Sequence, residues 1–199
     1  MINKIFNKLS TIKIPRLKKY YLYYRNPNKF IEFELKIKEV NIKVIKDLET
    51  FNKLLKLGYK FSTVSKENIN IYLDNNCTAI CIFKKYELGH ISWMASDIKG
   101  KKLVDPSALV MDKNSIFWGT AYTKPCYRGM GYSKLALLEC FKTGKINKIP
   151  RLVWSVRTIN KAAINSYNKF DPIIYGVGYA INIFWYNLRY IKKIKYKYE

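Results

Sequence analysis

A short stretch with two glycines, residues 125–133 (PCYRGMGYS), constrains the fold more than any other part of the sequence. It lies between a segment rich in β-forming residues, 115–123, and a segment with the composition of a helix, 134–142. Glycine adopts backbone conformations that other residues avoid, so the stretch can turn sharply and present its N–H groups on one side. The dipole of the following helix adds positive potential there. With Arg128 at its mouth, the turn predicts a binding site for a pyrophosphate.

The spacing within this loop distinguishes three kinds of phosphate-binding loop. A Walker loop needs a Gly-Lys-Ser/Thr triplet, whereas Tyr132 and Ser133 follow Gly131 here. A dinucleotide-binding loop needs a third glycine at the position of Lys134 and a ribose-binding acid about 20 residues later. The sequence has neither. The acyl-CoA pattern, Arg/Gln-x-x-Gly-x-Gly/Ala, fits Arg128, Gly131 and the small Ser133. The predicted ligand is therefore an acyl-CoA.

Two segments of the sequence together resemble the GCN5-related N-acetyltransferase (GNAT) superfamily. The first, residues 125–131, looks like the family's P-x-Y-R-G-x-G. The second, within residues 156–169, looks like its V…N…A…Y-x-K, carried by Val156, Asn160, Ala163, Tyr167 and Lys169. The resemblance covers roughly residues 79–179. It departs from the family after the second segment, where K-F-D-P replaces K-x-G-F, and this leaves the start of the next strand open.

The resemblance implies an α/β (α+β) fold with a mixed, mostly antiparallel central sheet, flanking helices and splayed central strands. It also implies acetyl-CoA as co-substrate, no metal, and transfer of the acetyl group to a primary amine by direct attack. The implied cofactor contacts fall into three groups: backbone groups on the pantetheine, loop N–H groups with one added charge on the pyrophosphate, and two positions on the later helix. These are Ala121, Tyr122 and Thr123; Gly129, Met130, Gly131, Tyr132 and Ser133 with Arg128; and Asn160 with Ala163.

Two residues are the candidates for catalysis. By resemblance, the Tyr167 hydroxyl would protonate the leaving thiolate, whereas helical spacing alone would also suit a core tyrosine. His90, the single histidine, would act as general base or contact the acceptor. Its position just after Gly89 also suits an ordinary strand residue. Loop carboxylates are alternative bases, namely Asp97, Asp105 and Asp112.

The chain carries 37 Lys and Arg against 14 Asp and Glu, a formal charge of +23. Such a charge favours contact with a polyanion or an anionic membrane. The chain is also rich in Lys, Ile, Asn and Tyr, and the amino-acid bias of an AT-rich genome would explain the charge equally well. The four cysteines form no C-x-x-C pair and only one histidine accompanies them, so a zinc site is not expected. We predict free thiols in a reducing compartment.

The hydrophobic pattern predicts the following organisation. Residues 1–29 form a basic, aromatic arm or helix, residues 30–191 the acyltransferase domain, and residues 192–199 a basic tail. Strands are expected in 30–44, 77–86, 90–95, 115–123, 151–157 and 173–190, helices in 47–57, 65–73, 134–144 and 160–170, and an irregular link in 96–114. No apolar run is long enough for a membrane span, and Lys and Asn interrupt the N-terminus too often for a signal peptide. A cytoplasmic protein is the expectation.

The sequence is compatible with three functions. The first is an N-acetyltransferase acting on a small-molecule amine or amino sugar. The second is a transferase of the same fold acting on a protein or an RNA-borne group, which the charge of +23 suits. The third is a non-catalytic module that binds CoA or a polyanion. The sequence names neither the acceptor nor the oligomeric state.

Overall fold

The computed structural model describes residues 17–29, 35, 37, 39–105, 114–183 and 186–193. Within these residues the strands are Lys18–Arg25 (β1), Val40–Ile45 (β2), Thr78–Lys84 (β3), Glu87–Ala95 (β4), Ser115–Thr123 (β5), Arg151–Arg157 (β6), Ile173–Ile183 (β7) and Tyr186–Lys193 (β8). The helices are Leu48–Lys56 (α1), Lys66–Asp74 (α2), Ile98–Val104 (α3), Tyr132–Ile146 (α4) and Lys161–Tyr167 (α5).

All eight described strands form one sheet in the order β2-β3-β4-β5-β6-β1-β7-β8. Only β5 and β6 run parallel, and the other neighbours are antiparallel. The expected mixed, mostly antiparallel sheet with flanking helices is thereby confirmed. The described residues contain no helix with the length and apolar composition that a bilayer crossing requires.

Helix starts follow the local sequence closely. Asp47, Ser65, Asp97 and Asn160 each accept a hydrogen bond from a backbone N–H in the first turn of α1, α2, α3 and α5. Such caps satisfy N–H groups that a helix leaves without an internal partner. Helix α4 is different, because it starts at Gly131 with no side-chain cap. Its first N–H groups therefore remain available to a ligand.

Each face of the sheet carries its own hydrophobic core. On one face, α1, α2 and α3 cover a core that includes Leu22, Phe51 and Phe117, and we refer to it as the α1–α3 face. On the other, α4 and α5 cover a core that includes Trp154 and Phe141, the α4–α5 face. Because side chains alternate along a strand, each strand residue can be assigned to one face.

The prediction of an arm or helix over residues 1–29 was wrong for its second half. Strand β1 lies inside the sheet, hydrogen-bonded to β6 on one side and β7 on the other. Tyr20 and Leu22 pack into the core of the α1–α3 face, whereas Tyr21 and Tyr23 pack into the other core. A strand that buries both faces lacks the apolar–polar alternation of a half-buried strand, and the two lysines that begin β1 concealed it further. Residues 1–16 lie outside the described part of the chain.

Strands β5 and β6 pair only over their first residues. The parallel ladder ends where Trp118 lies opposite Trp154, so residues 119–123 of β5 have no strand beside them on the β6 side. The register of β4 against β5 also shifts between Ile91 and Trp93, which leaves one extra residue in β5, a β-bulge. The splayed central strands that the fold expectation required are therefore present.

Smaller differences concern turns and links. The link 96–114 was expected to be irregular, yet its first half contains the helix α3, which Asp97 caps. Residues 106–113 lie outside the described part of the chain. Gly89 lies in a bulge of β4, after the turn, since the β3–β4 register shifts beside it. Strand β2 begins at Val40, and Lys192 and Lys193 of the expected tail end β8. Residues 194–199 are outside the described part.

Candidate active site

A cavity of about 790 Å³ opens where β5 and β6 part. It is lined from both faces of the sheet, because Tyr20, Val104 and Phe117 belong to the α1–α3 face while Trp118 and Tyr167 belong to the α4–α5 face. The cavity therefore crosses the sheet. Two substrates could meet in it from opposite sides.

Nine of the residues predicted from the sequence line this cavity: His90, Ala121, Tyr122, Thr123, Arg128, Ser133, Asn160, Ala163 and Tyr167. The other four predicted residues occupy the loop between Arg128 and Ser133. The structure thus brings together residues from β4, from β5, from the segment 128–133, which we call the glycine loop, and from α5. The roles assigned to these residues remain predictions.

The glycine loop has the conformation that its sequence predicts. Gly129 and Gly131 both adopt φ of 82°, a left-handed conformation that favours glycine. A Cβ added to Gly129 would meet nothing within 4 Å, so the space beside it is open. Helix α4 begins next to this open space. Because it has no side-chain cap, its first N–H groups lack a side-chain partner, and the positive end of the helix dipole lies there. The arrangement can bind an anion.

Two contacts hold the loop against the sheet. The Arg128 Nε donates a hydrogen bond of 3.3 Å to the Thr123 carbonyl at the end of β5. The buried Tyr132 ring stacks on Tyr127, with ring centroids 5.5 Å apart. A Cβ at Gly89 would lie 2.6 Å from the Tyr132 ring, so only glycine lets β4 approach the start of α4 this closely.

The side chains of Tyr167 and Ser133 form a hydrogen-bonded pair at the cavity wall. Their hydroxyl oxygens lie 2.7 Å apart, and Tyr167 is buried with Trp118 packed edge-on against its ring. Burial raises the pKa of Tyr167 to about 12, although the hydrogen bond with Ser133 opposes the shift. Tyr167 therefore keeps its proton at neutral pH. The sequence predicted only a backbone role for Ser133, and its side-chain contact was missed.

The buried His90 lies next to the end of β5. Its Nδ1 is 2.7 Å from the Thr123 Oγ1, and its Cα partner on β3, Ile82, belongs to the core of the α4–α5 face. Burial lowers the pKa of His90 to about 3, so the imidazole is neutral at physiological pH. This geometry favours a hydrogen-bonding role over that of a general base.

The alternative bases are placed as follows. Asp97 accepts the Gly100 N–H at 2.8 Å as the cap of α3, which gives it a structural role. Asp105 is buried at the end of α3 and engages other groups. Asp112 lies outside the described residues.

Thr120 is a site residue that the sequence analysis missed. It occupies the β5 bulge with φ of 38°, a conformation that is rare for a β-branched residue, and its Oγ1 donates a 2.7 Å hydrogen bond to the Val104 carbonyl. Strain of this kind persists only where the surroundings enforce it, and it is frequent at functional sites. No sequence signal beyond the preceding Gly119 marks the bulge.

Asn160 and Ala163 are linked to each other at the start of α5. The Asn160 Oδ1 accepts the Ala163 N–H at 3.1 Å, so the predicted cap is present. Both residues line the cavity, as do Arg128 and Ser133. The motif spacing N-x-x-A therefore has a local structural cause as well as a predicted contact with a ligand.

No known family model matches the sequence, and no curated protein does either. Solved structures do resemble the fold. A GCN5-related N-acetyltransferase from Sphaerobacter thermophilus gives a TM-score of 0.54 at 10% identity, covering 96% of this chain and 57% of that one. A putative GNAT-family acetyltransferase from Novosphingobium aromaticivorans gives 0.51 at 10% identity, covering 90% and 66%.

A third similar structure is a GCN5-related glucosamine N-acetyltransferase region of a fungal multi-domain β-N-acetylglucosaminidase. Its TM-score is 0.52 at 12% identity, covering 95% of this chain and 22% of that one. The chain thus spans between about a fifth and two thirds of the lengths of these three structures. At such identities the likeness concerns the fold. With the splayed β5 and β6, the glycine loop and these neighbours in agreement, the chain has the fold of the GNAT superfamily.

Proposed function

We propose that this protein is an N-acetyltransferase that transfers the acetyl group of acetyl-CoA to a primary amine by direct attack. The observation that carries the proposal is the cavity through the sheet, which joins the uncapped start of α4 to the protonated Tyr167 hydroxyl. A donor could bind from the α4–α5 face while an amine enters from the α1–α3 face. The acceptor we favour is a small molecule or an amino sugar.

The residues present fit coenzyme A. The open space at Gly129 and the free N–H groups at the start of α4 suit a pyrophosphate, and Arg128 adds positive charge. Residues 119–123 have backbone groups on the β6 side that no strand covers, and they suit the amides of a pantetheine arm. Asn160 and Ala163 would contact the same ligand from the opposite wall.

Acetyl-CoA supplies an activated thioester when it is bound. The protein's part is to hold and move protons around it. Tyr167 keeps a proton on its Oη at neutral pH and can donate it to a leaving thiolate, while the Ser133 hydroxyl fixes the direction of that Oη. The neutral His90 holds the Thr123 side chain and so positions the free end of β5.

Two observations bear on the acceptor. The fungal neighbour is a glucosamine N-acetyltransferase region, and its fold resembles this one at a TM-score of 0.52, which supports an amino-sugar amine. The formal charge of +23 supports the alternative of a protein or RNA-borne acceptor. The same charge favours contact of the basic termini with an anionic membrane or polyanion, and this contact, like the cytoplasmic location, stays a prediction.

The proposal is tested with CoA binding and with the variant Tyr167→Phe. CoA at about 100 times its Kd should raise the free energy of unfolding by about 2.7 kcal/mol. Tyr167→Phe should lower kcat about 100-fold, the lower range for loss of a general acid, without weakening CoA binding. Turnover is followed by thiol release with a panel of amines.

The matched control is Tyr23→Phe. Tyr23 is also buried, and burial raises its pKa to about 12 as well, but it stacks on Trp154 away from the cavity lining. Its variant should keep the wild-type kcat. Equal turnover of Tyr167→Phe and wild type would remove Tyr167 from the mechanism. Absence of stabilisation by saturating CoA would favour a non-catalytic module.

A further inference from the structure

The two ends of the cavity differ in chemistry. On the α4–α5 face it reaches the glycine loop and Tyr167, where the donor is proposed to bind. On the α1–α3 face it is lined by Tyr20, Thr120 and Arg157. Arg157 belongs to this second face because it lies four residues after Val153 on β6 and directly opposite Tyr20 in the β1–β6 ladder. It therefore faces the side from which an acceptor would enter.

Arginine is scarce in this chain, and most of its arginines already have a visible partner. Only six of the 37 basic residues are arginine, so lysine carries the compositional excess of charge. Contacts hold Arg25 to Asp171 (2.9 Å), Arg128 to the Thr123 carbonyl, and Arg151 over the Tyr24 ring. Arg157 lines the cavity, and its guanidinium forms no hydrogen bond or ion pair with any residue that the structure describes.

The charges at this end act on one another. Burial raises the pKa of the Tyr20 hydroxyl, the nearby Arg157 lowers it, Asp105 raises it and Arg189 lowers it. Arg157 and Tyr20 are direct partners in the β1–β6 ladder and both line the cavity, so one bound group can contact both side chains. A second cation, Arg189, contributes to the same positive potential while it keeps contacts of its own.

We propose that the acceptor carries a carboxylate or phosphate group beside its amine, and that Arg157 and the Tyr20 hydroxyl bind this anionic group. The inference rests on the proposed acetyltransferase function and narrows its substrate class. A guanidinium presents its donors in a planar fork that matches a carboxylate or a phosphate. A plain amine arrives as an ammonium ion, which Arg157 would repel, so polyamines and simple alkylamines should be poor acceptors.

The experiment compares amines that differ only in the anionic group. Ethanolamine is paired with O-phosphoethanolamine, and propylamine with β-alanine, so the two pairs separate phosphate from carboxylate recognition. Binding of each amine to the CoA-saturated protein is measured by calorimetry. We expect the anionic member of at least one pair to bind about tenfold or more tightly, the value of a hydrogen-bonded charge.

Two variants decide whether Arg157 is responsible. Arg157→Gln should abolish the preference for the anionic amine and leave CoA affinity unchanged. Arg151→Gln, at the other end of the same strand and absent from the cavity lining, should keep the preference. Tyr20→Phe removes the hydroxyl and should reduce the preference several-fold. The ring remains and fills its place in the core.

Equal binding of both members of each pair, or binding of neither, would overturn the inference. So would an Arg157→Gln protein that loses CoA affinity and keeps its preference, because Arg157 would then serve the donor. Failure of the proposed function is a separate result. It would appear as an absence of thiol release in a wild-type protein that still prefers the anionic amines.

Discussion

The hydrogen bond between Ser133 and Tyr167 ties the glycine loop to the proposed acid. Ser133 occupies the last small position of the acyl-CoA pattern, and the structure adds a second role through its hydroxyl. Ser133→Ala should leave CoA affinity within about twofold and lower kcat about fivefold, because one hydrogen bond contributes roughly 1 kcal/mol. Steady-state kinetics and calorimetry separate the two effects. Loss of CoA affinity at constant kcat would instead confine Ser133 to the loop.

His90 can be followed without ambiguity, since it is the only histidine of the chain. Burial lowers its pKa to about 3 from 6.5, so its imidazole NMR signals should not shift between pH 8 and pH 5. Titration near pH 6.5 would contradict the buried, neutral imidazole and revive its role as a base.

The same pKa makes His90 a source of pH-dependent stability. The unfolded chain binds a proton at His90 below about pH 6.5. The folded chain binds it only near pH 3, so this contribution is present above pH 6.5 and is lost as the pH falls towards 3. Between pH 7 and pH 5 the wild type should lose about 2 kcal/mol more than His90→Gln. Urea denaturation at both pH values measures the difference, and parallel losses would contradict it.

At the level of single residues, the sequence predicted the residues of the loop and of the α5 motif but few of the others at the cavity. Arg128, Asn160 and Tyr167 stand at fixed spacings within local elements, so a pattern can find them. Tyr20 and Arg157 reach the cavity through pairing between strands more than 130 residues apart in the chain. Pairing between strands so far apart in the chain leaves no signal in the local sequence.

The start of α4 is the element on which the proposed binding of the donor depends. It is held against β4 at Gly89, where an added Cβ would lie 2.6 Å from the Tyr132 ring and 3.0 Å from the Tyr127 ring. Gly89→Ala must therefore displace the ring that anchors the glycine loop. We expect a loss of about 1–3 kcal/mol in stability, the usual cost of overpacking, together with weaker CoA binding.

Gly176→Ala on β7 provides the control for this change. The nearest atom to its added Cβ is the Lys192 carbonyl oxygen at 3.2 Å, and Gly176 is not among the residues that line the cavity. This variant should lose stability and keep CoA affinity. If both variants weakened CoA binding equally, general loosening of the sheet would explain the result better than displacement of Tyr132.

Elements with strong local signals were predicted and the others were not. Asp47, Ser65 and Asn160 mark helix starts through caps that a reader of the sequence can recognise. Helix α3 was missed, although Asp97 caps it, because Gly100 and three lysines interrupt its apolar pattern. Strand β1 was missed because burial on both faces removes the alternation that identifies a strand.

For the whole molecule, β1 is the strand that makes the sheet continuous. It lies between β6 and β7, so without it the β7–β8 hairpin would have no neighbouring strand on the side of β6. Residues 18–25, which the sequence suggested as part of an appendage, therefore complete the core. They also carry Tyr20 to the cavity, so the integrity of the sheet affects the end of the cavity where we propose that the acceptor binds.

Two leucines five residues apart test this role of β1. Leu22 is fully buried and belongs to the core of the α1–α3 face, whereas Leu17 stands just before the strand and is 57% exposed. Leu22→Ala should lower the free energy of unfolding by about 2–5 kcal/mol, as for other fully buried leucines. Leu17→Ala should change it by less than about 0.5 kcal/mol, as for a surface position.

Urea denaturation followed by tryptophan fluorescence and by circular dichroism measures both variants. Tyr23 of β1 stacks on Trp154, one of the chain's four tryptophans, with ring centroids 5.7 Å apart, so part of the fluorescence signal reports on the contact between β1 and β6. If β1 belongs to a single cooperative unit, the two signals should change together in wild type and in Leu22→Ala. A fluorescence transition that precedes the circular dichroism transition would contradict a single cooperative unit. Equal, small effects of both leucine variants would restore the N-terminal segment to the role of an arm.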